Sequence, residues 1–216
     1  GNNIDETSPF AGSLDGKNHT INNLNVNKIN VSVWESYKNT YNYSGLFGVV
    51  SGTVKNLILS DCTITATDTE NSRRGDVYAG VLTGANFGTV TNITVNNSTV
   101  DATAWQICSA GAVCGSNLGI VNECNVTSSD ISAVSNGWTA NAGGITGASG
   151  DRLYYNLYAV VNNCSASQCE IFAKVTDSVD VSDIDYPSST TYFGRVYCGG
   201  IGGLKVNSAV ENNSVA

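Results

Sequence analysis

The sequence has no methionine, a single histidine and only two prolines in 216 residues. Lys and Arg together number 10 and form no cluster beyond Arg73–Arg74. Each scarcity excludes something. Binding to nucleic acid by counterion release needs many aligned cations, and this chain, at net charge −8, does not have them. The same acidic balance disfavours anionic membrane surfaces. No apolar run approaches the roughly 20 residues that span a bilayer as a helix, so no membrane insertion is expected. A zinc peptidase needs several ligands, but His19 stands alone in "GKNHTI" and there is no HExxH. His19 therefore reads as a surface or turn residue, and no cofactor is expected. With no methionine and Gly1 in first place, we expect a processed chain or a fragment.

The residues present suit short strands. Hydrophobic residues make up 41%, enough for a core, while Asn, Ser, Thr, Gly and Val dominate the rest. β-Branched residues fit a pleated surface, and Asn and Gly tolerate turn dihedrals. The pattern is repetitive. "YSGLFGVVSGTVKNLILSDCTI" begins at Tyr43, "YAGVLTGANFGTVTNITVNNSTV" at Tyr78 and "SAGAVCGSNLGIVNECNVTSSDI" at Ser109. "NAGGITGASG" from Asn141 and "YCGGIGGLKVNSAVENNSVA" from Tyr197 continue the series, after an N-terminal "FAGSLDGKNHTINNLNV". A lone glycine-rich loop for a phosphate would occur once; spaced copies make a repeat architecture.

One apolar position sets the register: Ile21, Val54, Val90, Val121, Val161 and Val210, spaced by 33, 36, 31, 40 and 49 residues. Two positions on stand Asn23, Asn56, Asn92, Glu123, Asn163 and Asn212. Positions three and five are almost always apolar and position four usually polar, the period of a half-buried strand. Glycines flank short apolar pairs, as tightly packed strands require, and Gly also supplies positive φ at corners. A copy with two or three such strands cannot bury its own apolar face. Stacking the copies at roughly 4.8 Å lines like positions into ladders, with Asn amides bonding Asn amides.

These copies resemble the GLUG motif, closest in "GLFG" at Gly45–Gly48 followed by "GTVKNL". "GVLTG…GTVTNI" and "GAVCG…GIVNEC" match more loosely. The resemblance implies β-solenoid-like architecture and extracellular placement, as in bacterial surface adhesins and haemagglutinin-like exoproteins. It brings no catalytic residues.

Several side chains invite a closer reading. Cys124 and Cys164 occupy the slot of Leu57 and Ile93; Cys62 and Cys169 share a second slot, filled by Ser98 and Ser129 in the copies between. Burial as small hydrophobes fits, and so does a disulfide between adjacent rungs. Trp105 and Trp138 lie six and five residues before Gly111 and Gly143, and Tyr192 sits similarly before Gly199. Side by side and exposed, they would form a platform for sugar rings or a protein; otherwise they cap the core beneath loops. Acids fall mainly in connecting segments: Asp68, Glu70 and Asp76, then Asp177, Asp180, Asp183 and Asp185. A solvated acidic loop or a calcium site are the readings of the last group. No carboxylate pair recurs at fixed strand positions, as a glycosidase would need.

The sequence thus predicts an all-β chain, a parallel β-helix-like β-solenoid of about six GLUG-type repeats forming one domain over residues 1–216. Longer excursions are expected at residues 27–42, 65–77, 149–158 and 172–196. The expected function is a non-catalytic adhesion or spacer module, extracellular or on the cell surface, that meets a host or cell-surface glycan or protein. The other class is a carbohydrate-binding or polysaccharide-degrading protein on the same scaffold. A stack of this kind needs caps, so the natural chain is expected to continue past Ala216.

Overall fold

The computed structural model describes residues 8–30, 40–68, 75–150, 159–176, 194–205 and 208–215. These form strands and turns, with no helix among the described residues. In chain order, a first level holds β1 (Ser13–Asn22), β2 (Asn25–Asn30), β3 (Thr40–Ser44) and β4 (Phe47–Val50). The next holds β5 (Thr53–Ser60), β6 (Thr63–Asp68), β7 (Gly75–Gly80) and β8 (Thr83–Asn86). Then come β9 (Thr89–Asn96), β10 (Thr99–Ala104), β11 (Ile107–Gly111) and β12 (Cys114–Asn117). A further level holds β13 (Ile120–Asn122), β14 (Asn125–Thr127), β15 (Asp130–Ser135), β16 (Thr139–Gly143) and β17 (Thr146–Ser149). It is followed by β18 (Ala159–Asn162), β19 (Ser165–Ser167), β20 (Glu170–Val175), β21 (Arg195–Gly199) and β22 (Gly202–Lys205), then β23 (Ser208–Glu211) and β24 (Ser214–Val215).

Every pairing between these strands is parallel, and each strand pairs with its equivalent one level away. Four sheets result. Sheet I contains β1, β5, β9, β13, β14, β18, β19, β23 and β24; sheet II runs β2-β6-β10-β15-β20. Sheet III runs β3-β7-β11-β16-β21 and sheet IV runs β4-β8-β12-β17-β22. The protein is all-β, built of stacked parallel sheets in a β-helix-like arrangement. A copy contributes to four sheets, more than the two or three strands expected.

The register holds from Val54 onward: Val54 pairs with Val90, Val90 with Val121, Val121 with Val161 and Val161 with Val210. The first copy is the exception. Leu14, not Ile21, is the partner of Val54, and Ile21 stands opposite Leu59. The bulge between Asp15 and His19 adds residues, so that "INNL" imitates "VKNL" from a different place in the level.

Position two explains itself through the backbone. A plain strand would put Val54 and Leu57 on opposite faces, yet both are buried. Asn56 lies between them with φ 56°, a left-handed residue that turns the chain so that both side chains enter the core. Asn92, Glu123 and Asn163 do the same, with φ of 52°, 55° and 52°, and Asn212 holds the same backbone conformation at φ 52°. Asn is the non-glycine residue that adopts this region at least cost. A second left-handed corner follows at Asp61, Asn97, Ser128 and Gln168. Asn23 belongs to this second series, since Asn22 pairs with Ser60.

Glycine does not supply the corner dihedrals: Gly150 is the one described glycine with positive φ. Its role is close approach. A Cβ on Gly88 would lie 2.0 Å from the Gly52 carbonyl oxygen, and one on Gly119 would lie 2.2 Å from that of Gly88. Between sheets III and IV, a Cβ on Gly84, Gly115, Gly147 or Gly203 would strike the backbone nitrogen of Ser44, Ala79, Ala110 or Ala142 within 2.4–2.7 Å. The two sheets meet backbone to backbone. "GLFG" is one residue shorter than its counterparts because Ser44 pairs with Ala79 while Phe47 pairs with Thr83.

The expected excursions are narrower than the sequence suggests. β2 and β3 reach into 27–42, β6 and β7 into 65–77, and β20 and β21 into 172–196. The alternation in "TITATD" and "EIFAKV" carries sheet II, whose inner ladder Ile64–Val100–Ile131 is fully buried.

Candidate functional site

The corners carry the polar chemistry that binds one level to the next. Asn92 Nδ2 donates to Asn56 Oδ1 at 2.8 Å, and Asn56 Nδ2 donates to Asp15 Oδ1 at 2.9 Å. The bond from Asn56 foremost, then the Lys17 N–H and the Lys55 ammonium, hold the Asp15 carboxyl below its ordinary value. The ladder is interrupted at Glu123, which has the backbone conformation but no amide to donate. Beyond it, Asn163 and Asn212 bond the neighbouring Asn122 and Asn162 instead of each other. A buried ladder that the sequence reading did not name runs through Asn86, Asn117 and Ser149: Asn86 Nδ2 donates to Asn117 Oδ1 at 2.9 Å. Its signal was an Asn four residues before Val90 and before Val121.

Behind the corners at Asp61, Asn97, Ser128 and Gln168 sits the Cys/Ser slot, and the two residue types act alike there. Cys62 Sγ donates to the Ser60 carbonyl, Ser98 Oγ to that of Asn96 and Ser129 Oγ to that of Thr127, each two residues back. The same atoms accept from the level before: Cys62 N–H donates to Ser98 Oγ at 3.1 Å and Ser98 N–H to Ser129 Oγ at 3.2 Å. At the other corner Cys124 N–H donates to Cys164 Sγ at 3.4 Å. All seven cysteines are free thiols, so the disulfide reading of Cys124 and Cys164 gives way to buried packing. Burial pushes the Cys108 thiol up to about 12 and holds Cys124 well above the ordinary thiol value. Nucleophilic chemistry does not fit thiols held in this state.

Trp105 lies in the bend between β10 and β11, and Trp138 in the bend before β16. Both are half-buried. With Ile107 opposite Thr139, Trp138 falls level with Gln106, so the two indoles are offset by one residue. Ser135 shapes the second bend: its Oγ accepts from Gly137 and Trp138 N–H and donates to the Gln106 carbonyl at 2.7 Å. Tyr192 lies outside the described residues, as do Asp177, Asp180, Asp183 and Asp185. His19 is exposed, within β1. The stacked aromatics are elsewhere: Tyr43 stacks on Tyr41 and Tyr78, with centroids 6.2 and 5.3 Å apart. They pack with Val49 and Ala85 into a small second core. The signal for the Tyr43–Tyr78 pair was a tyrosine two residues before a glycine in each copy, which the sequence reading did not use.

Asp68 and Asp76, expected in a connecting segment, lie in strands instead. Asp68 ends β6, Asp76 lies in β7, and each is 3% exposed. Asp76 Oδ1 accepts from Ile107 N–H at 3.0 Å. Burial, reinforced by the nearby Asp68 carboxylate, raises the Asp76 carboxyl to about 7 against the hydrogen bonds from Ile107 and Tyr78. A Cβ on Gly75 would lie 1.9 Å from Asp68 Oδ2, so a larger residue there would force this buried carboxylate to shift. These are the two buried carboxylates among the described residues. Enclosed this way, Asp76 can hold and release a proton near neutral pH.

No protein-family model matches the chain. No solved structure matches it either. Residues of the chain are similar to halomucin of Haloquadratum walsbyi (strain DSM 16790 / HBSQ001), 34% identical over 97 residues. The match covers 44% of this chain and spans about 1% of halomucin's length.

Proposed function

We propose that the chain is a non-catalytic structural or adhesion module of a secreted or cell-surface protein, a β-solenoid of about six GLUG-type repeats. The observation that carries this reading is the unbroken ladder Val54–Val90–Val121–Val161, each buried and each paired in register with the next. Such a core gives a stiff body whose length grows by roughly 4.8 Å per copy, which suits a spacer or a presenting surface. The similarity to a short part of halomucin, a surface protein, supports placing the module at the cell surface. A host or cell-surface glycan or protein is the expected ligand.

The half-buried Trp105 and Trp138 at successive corners favour a second reading, a glycan-binding module on the same scaffold. A glycan array combined with a reducing-sugar assay separates the readings. Saturable glycan binding lost in Trp105→Ala or Trp138→Ala, without new reducing ends, selects glycan adhesion at these corners. Released reducing ends overturn the non-catalytic reading. No glycan binding together with saturable attachment to cells leaves a protein ligand.

A further inference from the structure

Asn136 and Gly137 form the one asparagine–glycine pair in the chain, in the bend between β15 and β16. A glycine leaves the peptide nitrogen that follows an asparagine unscreened by any side chain, with a backbone free to turn towards the amide. The bend holds this pair by few bonds. Asn136 N–H donates to the Ala104 carbonyl at 2.9 Å, and Asn136 Oδ1 accepts from the Thr176 hydroxyl at 3.0 Å. Its Nδ2 has no partner among the described residues. Gly137 N–H belongs to no strand ladder; it donates to Ser135 Oγ at 3.3 Å, an oxygen that also takes Trp138 N–H at 3.1 Å. That first bond is long and its acceptor is shared, so it is weak. The asparagine–serine pair at Asn97 and Ser98 is held at both points: Asn97 Nδ2 donates to Asp61, and Ser98 N–H to the buried Ser129 Oγ at 3.2 Å.

We propose that Asn136 is a modification site, where the side-chain amide is lost through a cyclic imide, and that the Ser135 hydroxyl slows this step. The Gly137 nitrogen attacks Asn136 Cγ and forms the N–Cγ bond of the ring. The Cγ–Nδ2 bond breaks, and ammonia leaves with the proton that Gly137 N–H gives up. Water then opens the ring, its hydroxyl going to one imide carbonyl and its proton to the nitrogen. Opening at Cγ gives aspartate; opening at the main-chain carbonyl gives an isoaspartyl link, with the chain running through Cβ and Cγ. While Ser135 Oγ holds Gly137 N–H, the nitrogen is kept from turning onto Cγ. The aspartyl product keeps an oxygen for the Thr176 hydroxyl. The isoaspartyl product lengthens the chain by a methylene, so Gly137 and Trp138 N–H no longer reach Ser135 Oγ together. The reaction therefore remodels the bend that sets Trp138. This inference is separate from the spacer and glycan readings, and its test needs no ligand.

The test is incubation of the folded 216-residue chain at mildly alkaline pH, followed by peptide mapping in a mass spectrometer. The peptide holding Asn136 is expected to gain the mass of an amide-to-acid conversion several-fold faster than the peptide holding Asn97, with fragmentation showing the isoaspartyl link. Ser135→Ala is expected to speed the conversion several-fold in the folded chain and to leave the rate unchanged in strong denaturant, where no bend exists to hold Gly137. Circular dichroism checks that the variant folds; should it not, Ser135→Cys, a weaker acceptor, takes its place. An Asn136 peptide that keeps its amide while the Asn97 peptide converts overturns the proposal. A folded-state rate that Ser135→Ala leaves unchanged, or a gain that persists in denaturant, overturns the role of Ser135.

Discussion

Asn92 and Asn56 are joined through their side-chain amides at 2.8 Å, and both hold the left-handed backbone that turns their strands inward. One residue type serves both conformation and cohesion. Replacing Asn92 by Ala removes both and is expected to cost about 1–2 kcal/mol in chemical denaturation. Asn92→Gly restores the backbone and recovers part of that loss. Glu123→Asn supplies the missing amide and raises the midpoint.

The Cys/Ser slot gives a second prediction. Ser98→Ala strips the Cys62 N–H of its acceptor inside the protein, at a cost of about 1–3 kcal/mol. Ser98→Cys keeps an acceptor of the kind Cys164 provides for Cys124 and is expected to cost clearly less in the same denaturation measurement.

Asp76 makes stability depend on pH. Its carboxyl rises from 3.8 to about 7 on folding, so between these values the folded state binds more protons than the unfolded one. Stability therefore falls as pH climbs from 3.8 to about 7 and levels off above. Asp76→Asn keeps the acceptor for Ile107 and removes the charge. Its gain is expected to be near zero at the acid end of that window and to reach up to roughly 4 kcal/mol above it. Thermal midpoints of both proteins across the window measure this directly.

Gly88 and Gly202 should respond to alanine to very different degrees. The Gly88 methyl would meet backbone at 2.0 Å, whereas the nearest atom to one on Gly202 is the Thr146 hydroxyl oxygen at 3.2 Å. Gly88→Ala is expected to lose about 3 kcal/mol or more, and Gly202→Ala under about 1, by denaturant titration.

Much of this arrangement was legible in the sequence because stacking turns a spatial neighbour into a repeated letter. Val54, Val90, Val121 and Val161 could be aligned by eye, and the Cys62, Ser98, Ser129 and Cys169 slot with them. Leu14 was missed because a bulge is invisible to periodicity, and "INNL" offered a better textual match. The Asn at position two was read as a hydrogen-bonding residue when its dihedral is the stronger reason; Glu123 shows that the conformation persists without the amide. The burial of Asp68 and Asp76 was hidden because charged residues beside a variable segment look like loop. The offset of Trp105 and Trp138 by one residue was written in their spacing to Gly111 and Gly143, but only the pairing of Ile107 with Thr139 fixes which frame applies.

The central claim is that equivalent residues of successive copies stand directly over one another, and a distance between spin labels tests it most directly. Asn27 and Phe172 belong to one outward ladder of sheet II, linked through Thr65, Asp101 and Ser132. With labels at these two positions and Cys198 replaced by Ser, four strand spacings predict a single narrow distribution near 19 Å between the backbones. A broad distribution, or a mean far beyond that separation, would contradict the stack.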